Sequence, residues 1–339
     1  MKVPGIASRP LRVVAALILL AGLSPGLLWR SPGRIRISER ELHITALPVP
    51  APAVVKPHLG AFTLEGIWQL TSRSIEFGGY SAMLVQPDGR LLLVSDSGFC
   101  IIISPPDTDG ADPEWFSPHY KARGIRGFHD FESATGDPGT GQVWMAEEGL
   151  NTIYRMTPQF RVDGEVAPKA LRDWGYNTGA EAMARLQNGR FVLLREAPKG
   201  WLEDRLHAAV QFSGDPVDHP DAMAFTFAAP AQFDPTDMAQ MPDGRVLILM
   251  RRLTWPMPQR FAGRIVIADP ADIAKGKVWR SQVVARLSSS LPIDNFEAMA
   301  IDQRKDGKLT VWLVSDDNHA AFQRTLIWKM VVDPARLPR

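Results

Sequence analysis

The 339-residue chain contains one cysteine, Cys100, so no internal disulfide can form. It sits in the apolar run Phe99–Ile103 and reads as a small buried hydrophobe, not a nucleophile. Excess charge is also lacking. The 38 Lys and Arg nearly balance the 37 Asp and Glu, which withholds the basic face that nucleic-acid or membrane-surface binding needs. No nucleophile elbow, Walker loop, GxGxxG fingerprint or HExxH pair occurs. Long helical patterns are missing too: ten Trp, fifteen Phe and twenty-eight Pro beside twenty-seven Gly suit many short strands joined by turns.

One long apolar run is present, and it is N-terminal. Lys2, Arg9 and Arg12 precede the eleven residues Val13–Leu23, the length of a secretory core region. Export to the periplasm or beyond is expected, with residues 1–29 either a cleaved leader or an inner-membrane anchor. Residues 30–58, with Leu47–Pro57 as their Pro-rich part, read as an extended linker. The remaining residues 59–335 are expected to form one domain and to act as a monomer.

That domain repeats. Five segments begin near Gly78, His129, Thr178, Phe233 and Asp294. Each opens on a small or acidic residue, runs through a short apolar strand, turns at a Gly, and continues into a more apolar strand. The turns are Asp88-Gly89, Thr140-Gly141, Asn188-Gly189, Asp243-Gly244 and Asp306-Gly307, read as type I′ hairpins. Ser81, Glu132, Glu181, Asp237 and Glu297 are taken as equivalent, at spacings of 51, 49, 56 and 60. A strand-rich period near fifty is the signature of propeller blades. The expected fold is therefore an all-β propeller of five blades, with a sixth drawable from residues 35–57 or 199–232. Fourth strands are read at Trp115–Tyr120, Leu171–Tyr176, Ala224–Ala229 and Ser281–Leu287. The last blade lacks one, and Gly66–Ser72 is expected to supply it, closing the ring in one sheet.

In such a ring the start of each first strand and the end of each second strand meet on one face near the axis. Ser81, Glu132, Glu181, Asp237 and Glu297 are the strand-opening residues; Asp96, Glu148, Glu196, Arg251 and Asp316 close the second strands. Bare carboxylates a few ångströms apart repel by several kcal/mol at an effective dielectric of ~20, so cations or protons must share the site. Oxygen ligands alone select a hard cation such as calcium. Each acid taken singly reads equally well as a strand-end cap. Arg251, Arg252, Arg195, Arg126 and His129 are placed on the same face. They suit a phosphate or carboxylate ligand, or salt bridges to the ring acids. Ser81 has no evident base partner, so a serine-hydrolase reading is weak.

The runs FGGYSAM, VSDSG, GAEAMA with LLRE, and above all DNFEAMAID…VSDDN…FQRTLI resemble the phytase-like β-propeller family, named for esterase-like activity of phytase. The resemblance covers about residues 59–333. It implies a propeller, export, and hydrolysis of a phosphoric or other ester with carboxylate-held calcium. Carried over onto this chain, the metal ligands are Asp96, Glu132, Glu181, Glu196, Asp237, Glu297, Asp316 and Asp317. In that reading Glu181 or Glu297 is a general base, Arg251 stabilises charge on a small anionic or ester substrate, and His129 is an acid or base. The alternatives are a non-catalytic binding propeller with a structural cation, and a lactonase-like propeller.

Overall fold

The computed structural model describes residues 40–118, 130–175, 178–200, 203–256, 259–288 and 290–339. The N-terminal apolar run lies outside them. Among the described residues no helix is long and apolar enough to cross a membrane.

Five sheets stand around one axis. The chain starts with β1 (His43–Ala46), helix α1 (Pro52–Leu59) and β2 (Thr63–Thr71). The first blade is β3 (Tyr80–Val85), β4 (Leu91–Ser95), β5 (Cys100–Ile103) and β6 (Glu114–Phe116). The second is β7 (Phe131–Asp137), β8 (Gln142–Glu147), β9 (Thr152–Met156) and β10 (Val162–Val166). The third is β11 (Ala180–Arg185), β12 (Phe191–Gly200), β13 (Glu203–Phe212) and β14 (Ala222–Ala228). The fourth is β15 (Asp234–Gln240), β16 (Val246–Pro256) and β17 (Gln259–Ala268), followed by β18 (Val278–Arg280) and β19 (Gln282–Leu287). Of these, β18 leaves its own blade and pairs in parallel with β14, tying the third sheet to the fourth blade's chain. The fifth is β20 (Asn295–Gln303), β21 (Leu309–Asp316) and β22 (Thr325–Val332).

The second strands are apolar on both faces because each blade is covered on both sides. Leu91 to Val94 and Val246 to Met250 are all fully buried. Successive sheets meet through continuous side-chain clusters, such as Leu247, Leu249 and Ile265 of the fourth blade with Met299, Leu313 and Trp328 of the fifth. The ring closes as expected: β2 pairs antiparallel with β22, from Thr63 opposite Val331 to Leu70 opposite Thr325. A further strand, β1, pairs on the outside of β2. The stretch read as an extended linker is therefore differently built. Pro52 starts α1, where its missing N–H costs nothing, and Val55 and Leu59 are buried in the core. Among the described residues no sixth blade forms, since residues 203–228 belong to the third blade and residues 43–46 join the fifth.

Two local expectations change. The hairpin turns are not type I′, because only the glycines take positive φ: Gly89 +83°, Gly189 +82°, Gly244 +94° and Gly307 +79°. In the first of them Gly89 N–H donates to Gln86 O and Gln86 N–H to Arg90 O. That is a type I turn ending in a left-handed glycine; Pro87 and Pro242 fit its second position, and Asp or Asn fits its third. The fourth strand of the second blade is β10, not Leu171–Tyr176. Leu171 and Trp174 are buried against Trp144 and Phe191 between blades, and a 3-10 turn at Lys169–Leu171 carries them there. Apolar content marked the wedge; the true outer strand is half-exposed and polar.

The closure gives a test. Leu47 N–H donates to Ile67 O, so by strand alternation Gln69 N–H faces β1 and Leu70 N–H faces β22. Leu70→Pro removes a bond of the closing ladder together with a buried side chain, about 3 kcal/mol or more, and should lower Tm by about 6–12 °C. Thr45→Pro, on the outer edge, should lower it by less than about 3 °C. Thermal melts followed by circular dichroism decide it; equal losses would mean that β2 is not the closing strand.

Candidate functional site

Every first strand carries a β-bulge at its opening end, and the register places it at one level in all five blades. The unpaired residues are Ser81, Glu132, Glu181, Thr236 and Glu297. A bulge re-aims its side chain. Thr236, not Asp237, is thus the fourth blade's equivalent, and the spacings become 55 and 61 in place of 56 and 60. Asp237, one residue on, turns into the joint between blades. Its carboxylate is buried and accepts from Met238 N–H and Met299 N–H, both at 2.7 Å. Burial pushes its pKa well above the usual carboxylate range. It pins β15 to β20 and does not face the ring.

Beside each bulge residue stand two more positions of the same blade. One lies two residues earlier and the other stands opposite it on or just past the second strand; in the fourth and fifth blades these two are direct partners, Asp234 with Arg251 and Asn295 with Asp316. In order around the axis the triplets are Gly79–Ser81–Asp96, Asp130–Glu132–Glu148, Gly179–Glu181–Glu196, Asp234–Thr236–Arg251 and Asn295–Glu297–Asp316. Only the second blade has an acid at all three.

The ring is therefore electrostatically divided. On one side Arg251 reaches both neighbouring blades, donating to Glu196 Oε1 at 2.7 Å, to Glu297 Oε1, and to Asn295 Oδ1 at 3.3 Å. Burial opposes its charge, but Glu297, Glu196 and Glu181 raise its pKa on balance. On the other side Asp130, Glu132 and Glu148 each bring an oxygen within 4.8 Å of the others. Three unit charges that close would repel by at least about 3.5 kcal/mol per pair at an effective dielectric of about 20. Burial and neighbouring acids raise Glu132 well above its usual pKa, and burial raises Asp130 and lifts Glu148 to about 7. Among the described residues no Lys or Arg pairs with any of the three. Burial, then Glu196, raises Glu181, whereas burial, then Glu297, raises Asp316.

Glycines let the blades lock. Gly179 N–H donates to Glu148 Oε1 at 2.7 Å, and Gly79 N–H to Asp317 Oδ1 at 3.3 Å. Gly79 has φ +65°, and a Cβ there would lie 2.6 Å from Asp96 Oδ1. Asp96 and Asp317 also cap loop N–H groups of Ser97 and His319. Asp316 Oδ1 likewise accepts from Asn318 N–H at 2.7 Å.

Of the residues singled out from sequence, the structure gathers Glu132, Glu181, Glu196, Arg251, Glu297 and Asp316 at the mouth, with Asp96 and Asp317 in the adjoining loops. His129 and Arg126 lie outside the described residues. Arg195 is a loop staple, donating to Trp174 O, Thr178 O and Thr178 Oγ1. Arg252 points to the other face of its strand and stacks on Phe233 at 5.0 Å. Sequence reading passed over Asp130, Asp234 and Asn295. A strict five-way alignment through the bulge would have found them, since they share one position two residues ahead of it.

A cavity of about 820 Å³ opens at the opposite, turn-side end of the channel. Its lining includes Gln86, Gln187, Gln240 and an Arg185–Asp137 ion pair of 3.0 Å, but none of the ring acids. The clustered titratable groups that chemistry needs are at the acid end.

A family model described as "Phytase-like: Esterase-like activity of phytase" matches residues 75–319. No curated protein matches the chain. Similar solved structures include Myxococcus xanthus glutaminyl cyclase, at TM-score 0.45 and 10% identity, covering 80% of this chain and 97% of that one. Another is the PQQ-bound aldose sugar dehydrogenase of Streptomyces coelicolor, at TM-score 0.44 and 13% identity, covering 86% of this chain and 98% of that one.

The raised acids set a pH dependence. Glu148 titrates near 4.5 unfolded and about 7 folded, so its contribution is present below 4.5 and is lost as pH rises through 7. Asp234, lifted by burial and Glu196 from 3.8 to about 6, acts in the same sense. In chelator, Tm should therefore fall by several degrees from about pH 5 to about pH 8. Glu148→Gln should flatten that fall. A Tm that rises over this window in chelator would show that the cluster is already compensated.

Proposed function

Because the chain belongs to the phytase-like family named for esterase-like activity of phytase, we propose that it is an exported, calcium-dependent hydrolase of phosphoric or other esters, working at the acid end of its channel. The observation that carries this reading is the cluster Asp130, Glu132 and Glu148, three carboxylates within 4.8 Å of one another and without a cationic partner among the described residues. Its donors are all oxygen, so it fits a hard cation with flexible coordination, for which calcium is the first choice. Export is supported by Lys2, Arg9 and Arg12 ahead of Val13–Leu23. The propeller has one continuous ring and is proposed to act as a monomer on a small substrate.

The cluster's three acids would hold the cation, which when bound would neutralise them and polarise a phosphoryl or carbonyl oxygen. Glu181 sits in the next blade and keeps its proton well above the ordinary range because it is buried, with Glu196 adding to the effect. It is placed to give that proton to a leaving group, or, once ionised, to take one from water. Arg251 is committed to Glu196 and Glu297. Its role is to hold their orientation and keep that half of the ring from competing for the cation. This moves the proposed cation site from the whole ring to the second blade.

Binding to the native state alone at a hundredfold excess over Kd adds about 2.7 kcal/mol, a Tm rise of about 5–10 °C here. Wild type should show that rise with millimolar calcium, and Glu132→Gln should lose it together with calcium-dependent hydrolysis of aryl phosphates or aryl esters. Glu297→Gln should keep most of the calcium response. A wild type whose melting ignores calcium overturns the metal reading. A calcium response without hydrolysis of phytate, aryl phosphates, aryl esters or lactones leaves a binding propeller instead of an enzyme.

A further inference from the structure

Several buried or half-buried arginines among the described residues are paired with carboxylates. Arg155 pairs with Asp163, Asp215 and Asp218, Arg90 with Asp88 and Glu114, and Arg251 with two glutamates. The fourth blade holds an exception. Met250, Arg264 and Arg286 are direct partners across β16, β17 and β19, so their side chains leave the same face of the sheet. Arg252 lies two residues beyond Met250 on β16 and joins them on that face, opposite to Arg251. The guanidinium groups of Arg252 and Arg264 both stack on Phe233, at 5.0 and 4.5 Å from its ring centre.

None of these three arginines has a carboxylate partner among the described residues. Among the described residues Arg252 Nη1 donates only to the neutral Gln232 Oε1 at 2.9 Å, and its Nε is buried without a partner. Arg264 Nη1 donates to the neighbouring Gly263 carbonyl at 3.0 Å. Converging cations with a buried, unused donor are costly unless something negative joins them. We propose that Arg252, Arg264 and Arg286 form an oxyanion site for a phosphate-type dianion, with Phe233 as its floor. Guanidinium forks match phosphate oxygens two at a time, and three positive charges exceed what one carboxylate would neutralise. Burial, and then the charges of Arg286 and Arg252, hold Arg264 below its ordinary pKa, in keeping with an uncompensated cluster. The site is independent of the carboxylate ring, which lies across the sheet.

The test uses the full purified chain in chelator, with inorganic phosphate as the probe and sodium chloride at matched ionic strength as the control. Phosphate should raise Tm and bind measurably by calorimetry. Arg286→Gln, at an exposed position, and Arg264→Gln should each weaken phosphate binding at least tenfold. Without phosphate, Arg286→Gln should melt at or above wild type, because one repelling charge is gone. Glu132→Gln should leave phosphate affinity within twofold. The proposal fails if chloride reproduces the effect, if both arginine variants bind phosphate like wild type, or if Arg286→Gln melts lower without phosphate. It fails also if Glu132→Gln is the variant that abolishes binding, since phosphate would then sit at the ring.

Discussion

Everything at the channel mouth depends on β2 pairing with β22. That ladder joins a strand near residue 67 to one near residue 328 and makes the fifth sheet complete. Without it the first and fifth blades have no reason to abut, and the five first strands do not share an axis. With it, side chains separated by fifty or more residues are forced to one level. The apolar clusters between blades supply the free energy for this closure, at roughly 1.5–3 kcal/mol for each large side chain buried. They also bear the cost of gathering acids that would repel in an open chain.

Closure alone would produce a uniform acidic ring. One substitution in the repeat makes it uneven. Where four blades place Asp or Glu opposite the start of the first strand, the fourth has Arg251, and its two-pronged contact pairs Glu196 and Glu297 of the adjoining blades. The second blade has acids at all three of its positions and, among the described residues, no Lys or Arg paired with them. A single arginine thereby makes the ring of acids uneven. The same strand carries Arg252 to the opposite face of the sheet, where the sign of the unmet charge is reversed.

Two backbone devices make the geometry repeat. Type I turns with a left-handed glycine set the length of each hairpin in four blades, and bulges at the opposite end rotate one residue toward the axis. Asp237 shows how fine that control is. One position beyond the bulge, an acid becomes an inter-blade clamp bonded to two N–H groups and no longer faces the mouth.

The sequence by itself determined the architecture. Turn glycines, apolar second strands and a period near fifty are local properties, so they could be read as five blades closed by an N-terminal strand. It also determined which residue types would crowd the mouth. Tertiary structure decided which of them meet. The bulge shifted the fourth blade by one residue and exchanged Asp237 for Thr236, because strand register depends on the partner strand and not on the residue itself. The same pairing brought Asp130 beside Glu132 and Glu148, and gave Glu196 and Glu297 to Arg251. The outer strand of the second blade was misread for a related reason: Leu171 and Trp174 are apolar because they wedge between sheets, and burial of that kind has no period along the chain.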